Sequence, residues 1–211
     1  MDTNRHPIEL IGARTGNCLR VAIAFEEADL PYQVRLLDLR QGEQHDPAHL
    51  ALNPAGKVPT IIDHLGETDL ILSQSNAILL YAAELKPGRL LPLKETDRAI
   101  ALERYFYFLT DVIAVSHSAF FLRSLGSHAA STALDERSNA ALRDAARFVK
   151  ATRDMGGESF SLADIAAFTI ASVNRRHIDW NADAHLKRWF DEVEQRPSAR
   201  RGMKAFEHSN G

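Results

Sequence analysis

At 211 residues the chain is long enough to bury one large core or two small ones. Its 45% hydrophobic and 25% charged content is ordinary for a globular protein, and a formal net charge of −3 gives no electrostatic reason to expect nucleic acid or an anionic membrane as partner. A single cysteine, Cys18, excludes an intrachain disulfide and a multi-cysteine metal site, and the nine histidines show no metal-ligand spacing.

Residues 1–7 are polar and charged, unlike a signal peptide, and no continuous apolar run approaches the roughly 18 residues of a membrane span. The expectation is a cytoplasmic, metal-free protein. Residues 8–11 read as a short strand, residues 19–30 as a helix that Pro31 stops, and residues 32–39 as a second strand. Strand, helix, strand is a right-handed βαβ unit with parallel strands. A polar stretch over 41–51 holds a helical turn after Pro47. Residues 58–62 and 70–72 form a hairpin around the turn at 63–69, and 73–85 is helical. The first half is thus α/β over residues 1–86, and 87–93 (with Pro87, Gly88 and Pro92) is a linker.

Residues 94–211 read as all helix. The helix over 97–125 is apolar on several sides, so it is central to a bundle or faces a partner subunit. A second helix covers 134–155 and ends at Gly156-Gly157. Phe160-Ser161-Leu162-Ala163-Asp164-Ile165 is a capped helix start with Ser161 and Asp164 reciprocal, and helices over 184–195 and 198–206 are separated by Pro197.

The stretch Asn53-Pro54-Ala55-Gly56-Lys57-Val58-Pro59 is a turn feeding a β-branched strand. Pro59 has no N–H for a ladder, so composition alone makes it a trans proline capping an edge strand, with the Val58 backbone free to pair with an extended peptide.

This stretch, with Ser73-Gln74-Ser75-Asn76-Ala77-Ile78, the segment 160–165 and Arg196-Pro197-Ser198, resembles the soluble glutathione transferase family in order and spacing over nearly the whole chain. The chain is similar to bacterial members, with features of nu-, beta- and zeta-like classes. The resemblance implies a thioredoxin-like N-terminal domain with a mixed sheet, a helical C-terminal domain, and a homodimer. Its ligands are glutathione as cosubstrate and a small hydrophobic electrophile. It also implies that Val58–Pro59 is cis and that the Val58 backbone pairs with the cysteinyl part of glutathione. Gln74 and Ser75 would hold the γ-glutamyl carboxylate at a helix start, where backbone N–H groups favour an anion. Lys57 would reach the glycine carboxylate, and Gln44 matches a glutathione contact of nu-like enzymes. Read without the resemblance, Gln74-Ser75 is an ordinary cap, and Lys57 and Gln44 are solvated loop residues.

The thiolate is the nucleophile, so the reaction needs a donor to sulfur. Thr15-Gly16-Asn17-Cys18 lies at the turn between first strand and first helix. Against nu-like enzymes Thr15 is the hydroxyl donor and Asn17 a second donor. Against beta-like ones the catalytic cysteine aligns with Asn17, leaving Cys18 one residue late. The order of candidates is Thr15, Asn17, then Cys18, which on a helix's first turn is also a plain buried residue. The segment 101–111 resembles the beta-like helix whose acidic residue, here Asp111, reaches glutathione of the other subunit. Tyr105, Tyr107, Phe108 and Phe121 are electrophile-pocket candidates, with core and dimer interface as the alternatives. A glutathione-dependent disulfide reductase and a non-catalytic binding protein of the same fold remain competing readings.

Overall fold

A computed structural model describes residues 7–65 and 68–207. The turn residue Gly66 and residues 1–6 lie outside the described residues. The chain divides into two compact units, one built from residues up to Leu90 together with those from Arg196 onward, the other from Leu91–Gln195.

The first unit carries β1 (Ile8–Gly12), α1 (Gly16–Glu27), β2 (Tyr32–Leu36), a 3-10 turn (Glu43–His45), α2 (Pro47–Leu52), β3 (Thr60–His64), β4 (Asp69–Ser73) and α3 (Ser75–Leu85). The sheet order is β2-β1-β3-β4, with β1 parallel to β2 and antiparallel to β3, and β3 antiparallel to β4. This is the βαβ-ββα arrangement with a mixed sheet that the sequence predicts. Ile8, Leu10, Ile11, Val21, Ile23, Phe25, Ile61, Ile78 and Leu79 form the core, with α1 and α3 packed together over it.

Element ends differ from expectation where backbone chemistry intervenes. β3 starts at Thr60 instead of Val58, because Pro59 cannot donate to a ladder. α3 starts at Ser75 instead of residue 73, because Gln74 sits at φ +74°, outside helical space. β2 ends at Leu36, and the Asp38 carboxylate then accepts the N–H groups of Arg40 and Gln41 at 2.8 and 3.3 Å, closing a turn. The Val58–Pro59 bond is cis, as the family resemblance implies.

The last helix, α10 (Pro197–Gly202), packs on α1 within this first unit, although the sequence reading assigns all of 94–211 to the helical half. Arg196 explains the docking. Its Nε and Nη2 donate to the two Glu27 carboxylate oxygens at 2.7 and 2.5 Å, and the Ser198 hydroxyl donates to the same carboxylate at 2.5 Å. Gly202 then meets α1 so closely that a Cβ there would lie 2.6 Å from the Ile23 backbone nitrogen. Burial alone would raise the Glu27 pKa, but Arg196 and Ser198 together hold the carboxyl below its ordinary value. Arg196→Ala is expected to cost roughly 2–3 kcal/mol, below the 3–5 of a fully buried pair because Arg196 is 38% exposed. Since the folded pKa is depressed, the stabilisation is present above about pH 4.5 and is lost as pH falls further. Denaturant titrations of parent and variant at pH 7 and pH 3.5 check this, with the gap between them shrinking at the lower pH.

The second unit holds α4 (Glu95–Tyr107), a π-helical turn (Phe108–Ile113), α5 (Ala114–Ser124), α6 (His128–Asp144), α7 (Ala146–Ala151), α8 (Leu162–Val173) and α9 (Ala184–Gln195). α6 starts six residues before the predicted helix, because residues 128–133 hold three alanines but no large apolar side chain to mark a face. Every residue of α8 from Leu162 to Ala171 is buried. By length and composition the run Glu95–Ser124 is long and apolar enough to cross a membrane, with a mean hydropathy of 1.3 in its most apolar window, contrary to the sequence reading. It turns Tyr105, Phe108, Val112, Ile113 and Ala119 inward, carries Asp111, His117 and Ser118, and leaves Phe106, Phe120 and Phe121 exposed, so that 28% of the most apolar window is buried. In its π turn the Val112 carbonyl is satisfied by the buried Ser138 hydroxyl at 2.9 Å.

Candidate functional site

Strand register gathers the candidate residues of the first unit. Ile11 pairs with Thr60, and Thr60 with Ser73, so these three stand in one row at one end of the sheet. The chain leaves β1 there into residues 13–17, enters β3 there from 53–59, and leaves β4 there into Gln74 and Ser75. The sheet therefore delivers Thr15, Asn17, Lys57, Val58, Pro59, Gln74 and Ser75 to a common edge.

Thr15 is the N-cap of α1, at φ −113° and ψ 156°, and its Oγ1 accepts the Cys18 N–H at 3.3 Å. That bond uses one of the two lone pairs of the oxygen, and the same hydroxyl stands within hydrogen-bond reach of the Cys18 thiol. Asn17 is half-buried, and its Oδ1 accepts from the Arg20 Nη1 at 3.2 Å. Cys18 is fully buried, and a Cβ placed on Gly12 would lie 2.6 Å from its Sγ. Burial pushes the Cys18 thiol up, outweighing the Thr15 hydroxyl, the Ala13 and Thr15 backbone and the nearby Arg20 charge. Cys18 thus sits in the core as a neutral thiol, packed against β1. A thiol-specific reagent is expected to label it at least tenfold more slowly in the folded protein than in denaturant; equal rates would place it at the surface.

The 53–59 loop is pinned from behind. Asn53 Nδ2 donates to the Lys57 carbonyl at 2.7 Å, the buried His49 Nε2 lies 3.0 Å from the same oxygen, and Ala55 N donates to Asn53 Oδ1 at 3.2 Å. Among the described residues neither the N–H nor the C=O of Val58 takes a hydrogen bond, and Val58 is half-buried. A backbone held firmly one residue earlier and unpaired at Val58 suits an extended ligand. Gln44, half-buried in the 3-10 turn, stands beside this loop, since a Cβ on Gly56 would lie 3.4 Å from the Gln44 carbonyl. Its Oε1 is buried without a hydrogen-bond partner among the described residues. Lys57 is exposed.

At the third loop, Gln74 is exposed in its left-handed conformation, while Ser75 opens α3 at 5% exposure. Strained backbone of this kind concentrates at ligand sites. The buried Arg20 was not picked out in the sequence reading, which counted the apolar side of its helix. Its Nη1 lies 3.4 Å from Ser75 Oγ and 3.3 Å from Asn76 Oδ1 as well as against Asn17, joining the starts of α1 and α3. The available signal in the sequence was a lone charge among apolar neighbours, between Leu19 and Val21, and the structure buries it to 2% exposure.

The second-unit candidates separate. Tyr105 and Phe108 are fully buried, which corrects their assignment to a substrate pocket: they are core. Tyr107 donates its hydroxyl to the Ala141 carbonyl at 2.7 Å and packs edge-on against Phe148, so it too is committed to the helical packing. Phe121 is 60% exposed and free to meet a ligand or another surface. Asp111, half-buried in the π turn, accepts from the Thr110 hydroxyl at 2.7 Å.

The family model "Glutathione S-transferase, N-terminal domain" matches residues 7–84. The disulfide-bond oxidoreductase YfcG of Escherichia coli is 30% identical over 205 residues, covering 90% of this chain and 92% of its own. The glutathione S-transferase GstB of the same organism is 28% identical over 197 residues, covering 88% and 91%. A glutathione transferase from Burkholderia graminis, crystallised with two glutathione molecules bound per subunit, superposes with a TM-score of 0.84 at 24% identity, covering 97% of this chain and 90% of its own. The thioredoxin-like mixed sheet, the helical second unit and full-length similarity at 30% identity make this chain a bacterial-type member of the glutathione S-transferase family.

Proposed function

We propose that the protein is a glutathione transferase that holds glutathione at the edge defined by Ile11, Thr60 and Ser73 and directs its sulfur at a small hydrophobic electrophile. The observation that carries this reading is the convergence there of an unpaired Val58 backbone, the α3 start at Ser75, and the Thr15 hydroxyl at the start of α1. The cysteinyl backbone of glutathione pairs with Val58. The γ-glutamyl carboxylate lies at the start of α3 on Ser75 and the backbone beside Gln74. Lys57 meets the glycine carboxylate, and Gln44, with its buried amide oxygen, supports the same end.

Thr15 donates to the sulfur and Asn17 Nδ2 assists. A free thiol has a pKa of about 8.5, and lowering it by about two units requires about 3 kcal/mol. A hydrogen bond to a charged group supplies about 1.5–3 kcal/mol, and the α1 N-terminus about 0.3–1 kcal/mol. Together they match the requirement. No bonding side chain has to titrate, which suits a site whose only nearby cysteine is buried.

The protein works as a cytoplasmic homodimer, with Asp111 reaching glutathione bound by the second copy. The exposed Phe106 and Phe120 on the same helical run, with Leu125 just beyond its end, support an apolar contact with that copy.

A second reading is favoured by the 30% identity to a protein named as a disulfide-bond oxidoreductase. In it two glutathione molecules reduce a disulfide, giving glutathione disulfide and two thiols, with no cysteine of this chain taking part. Turnover of an aryl halide and of a model disulfide, each with glutathione, decides between them: faster aryl-halide conjugation supports the transferase, and faster disulfide reduction the second reading. Activity on neither, with no glutathione binding by calorimetry, would contradict both.

A further inference from the structure

We propose that Arg20 is a positioning residue that turns the donors of Asn17 and Ser75 toward the ligand and couples the sulfur end of the site to its carboxylate end. The inference rests on the glutathione reading given above and adds a residue to it.

Arg20 is 2% exposed, and its Nη1 lies within 3.4 Å of Asn17 Oδ1, Ser75 Oγ and Asn76 Oδ1. One guanidinium nitrogen has two hydrogens, so these acceptors share them, and movement of any one is felt by the others. The consequence is a sorting of polarity. The carboxamide of Asn17 has one acceptor end and one donor end. Arg20 occupies the acceptor end, so the Nδ2 hydrogens face away from the guanidinium. Ser75 Oγ likewise accepts from Arg20, which leaves its hydroxyl hydrogen to donate. The acceptor oxygens of Asn17 and Ser75 are thus engaged inside the protein, and their hydrogens remain for an anion. A site that binds a thiolate and a carboxylate requires this arrangement, because an outward lone pair would repel both. Without Arg20, Asn17 is free to flip its amide and Ser75 to rotate its hydroxyl.

The test uses the full chain with Arg20→Gln, Asn17→Ala and the double variant. Two quantities are read: the pH midpoint for ionisation of bound glutathione, from thiolate ultraviolet absorbance, and the affinity for S-methylglutathione, which lacks an ionisable thiol and reports the carboxylate end. Arg20→Gln is expected to raise the midpoint by about one pH unit and to weaken S-methylglutathione about tenfold. In the double variant the midpoint should move no further than in the more affected single variant. A folded Arg20→Gln protein with both quantities at parent values, or fully additive midpoint shifts, would overturn the proposal. If Arg20→Gln does not fold, Arg20→Lys serves instead: it keeps the charge but loses the planar fork, and should still raise the midpoint and weaken S-methylglutathione. Parent-like values in both would overturn the proposal there too. Failure of the parent protein to bind S-methylglutathione would instead remove the glutathione reading itself.

Discussion

Replacing Thr15 with alanine should lower the rate of conjugation by roughly 10–100-fold, the equivalent of one hydrogen bond of about 1.5–3 kcal/mol to a charged sulfur. The loss should appear in kcat and kcat/KM together, since the bond matters most to the ionised thiol, while the affinity for S-methylglutathione stays within about threefold of parent. The bound thiol should titrate roughly one to two pH units higher. Thr15 is also the cap of α1, accepting from Cys18 N, so the same change should cost about 1 kcal/mol of stability. Thr15→Ser separates the two roles from simple damage, because serine restores both hydroxyl and cap. Rates and pH profiles for parent, alanine and serine variants provide the check. An alanine variant of undiminished rate would remove Thr15 from the chemistry.

The largest structural effect is expected at Asp164. Its carboxylate is fully buried and receives the N–H groups of Met155, Gly156 and Ser161 at 2.6, 3.3 and 3.0 Å, the Ser161 hydroxyl at 3.1 Å, and the Trp189 Nε1–H at 2.8 Å. It closes the capping box of α8 and ties that helix to the 154–157 turn and to α9. Asp164→Ala strands these donors away from water and should cost about 3–5 kcal/mol, a fall in Tm of roughly 10 °C. Asp164→Asn should also destabilise, because one end of its amide presents hydrogens to hydrogens. Burial and the neighbouring Asp154 carboxylate push the Asp164 pKa up to about 6, against the pull of Trp189, Met155 and Ser161. Between pH 3.8 and about 6 the folded protein therefore holds a proton that the unfolded chain does not. Ionisation of this group costs stability above about pH 6, and the cost is relieved as pH falls toward 4, opposite in sign to Glu27. Denaturant midpoints across pH 4–7 should show a flatter slope at the acid end in parent than in Asp164→Ala. Identical slopes would contradict the raised pKa.

Local chemistry made much of this legible in the sequence. Ser161 and Asp164 announce a capping box three residues apart, and Asn53 and Gly56 announce a turn, because each satisfies its own backbone neighbours. Pro59 was readable as unfit for a ladder, but composition made it trans, and its cis bond followed only from the family resemblance. What escaped depends on partners far along the chain. Arg196 and Ser198 meet Glu27 across 169 and 171 residues, so no local pattern places α10 on α1. Arg20 is charged on a helix whose neighbours are apolar, and only the fold brings Ser75 and Asn76 to it. The long-helix aromatics show the same limit. Spacing alone left core, cleft and interface open for Tyr105 and Phe121, and burial separates them.

The position of the sulfur in bound glutathione decides most directly whether Thr15 activates it. A crystal structure of the complex should place that sulfur about 3.0–3.5 Å from Thr15 Oγ1, with the cysteinyl backbone on Val58 and Cys18 still buried beneath. Sulfur bonded to or directly facing Cys18, or glutathione bound away from Val58 and Ser75, would contradict it.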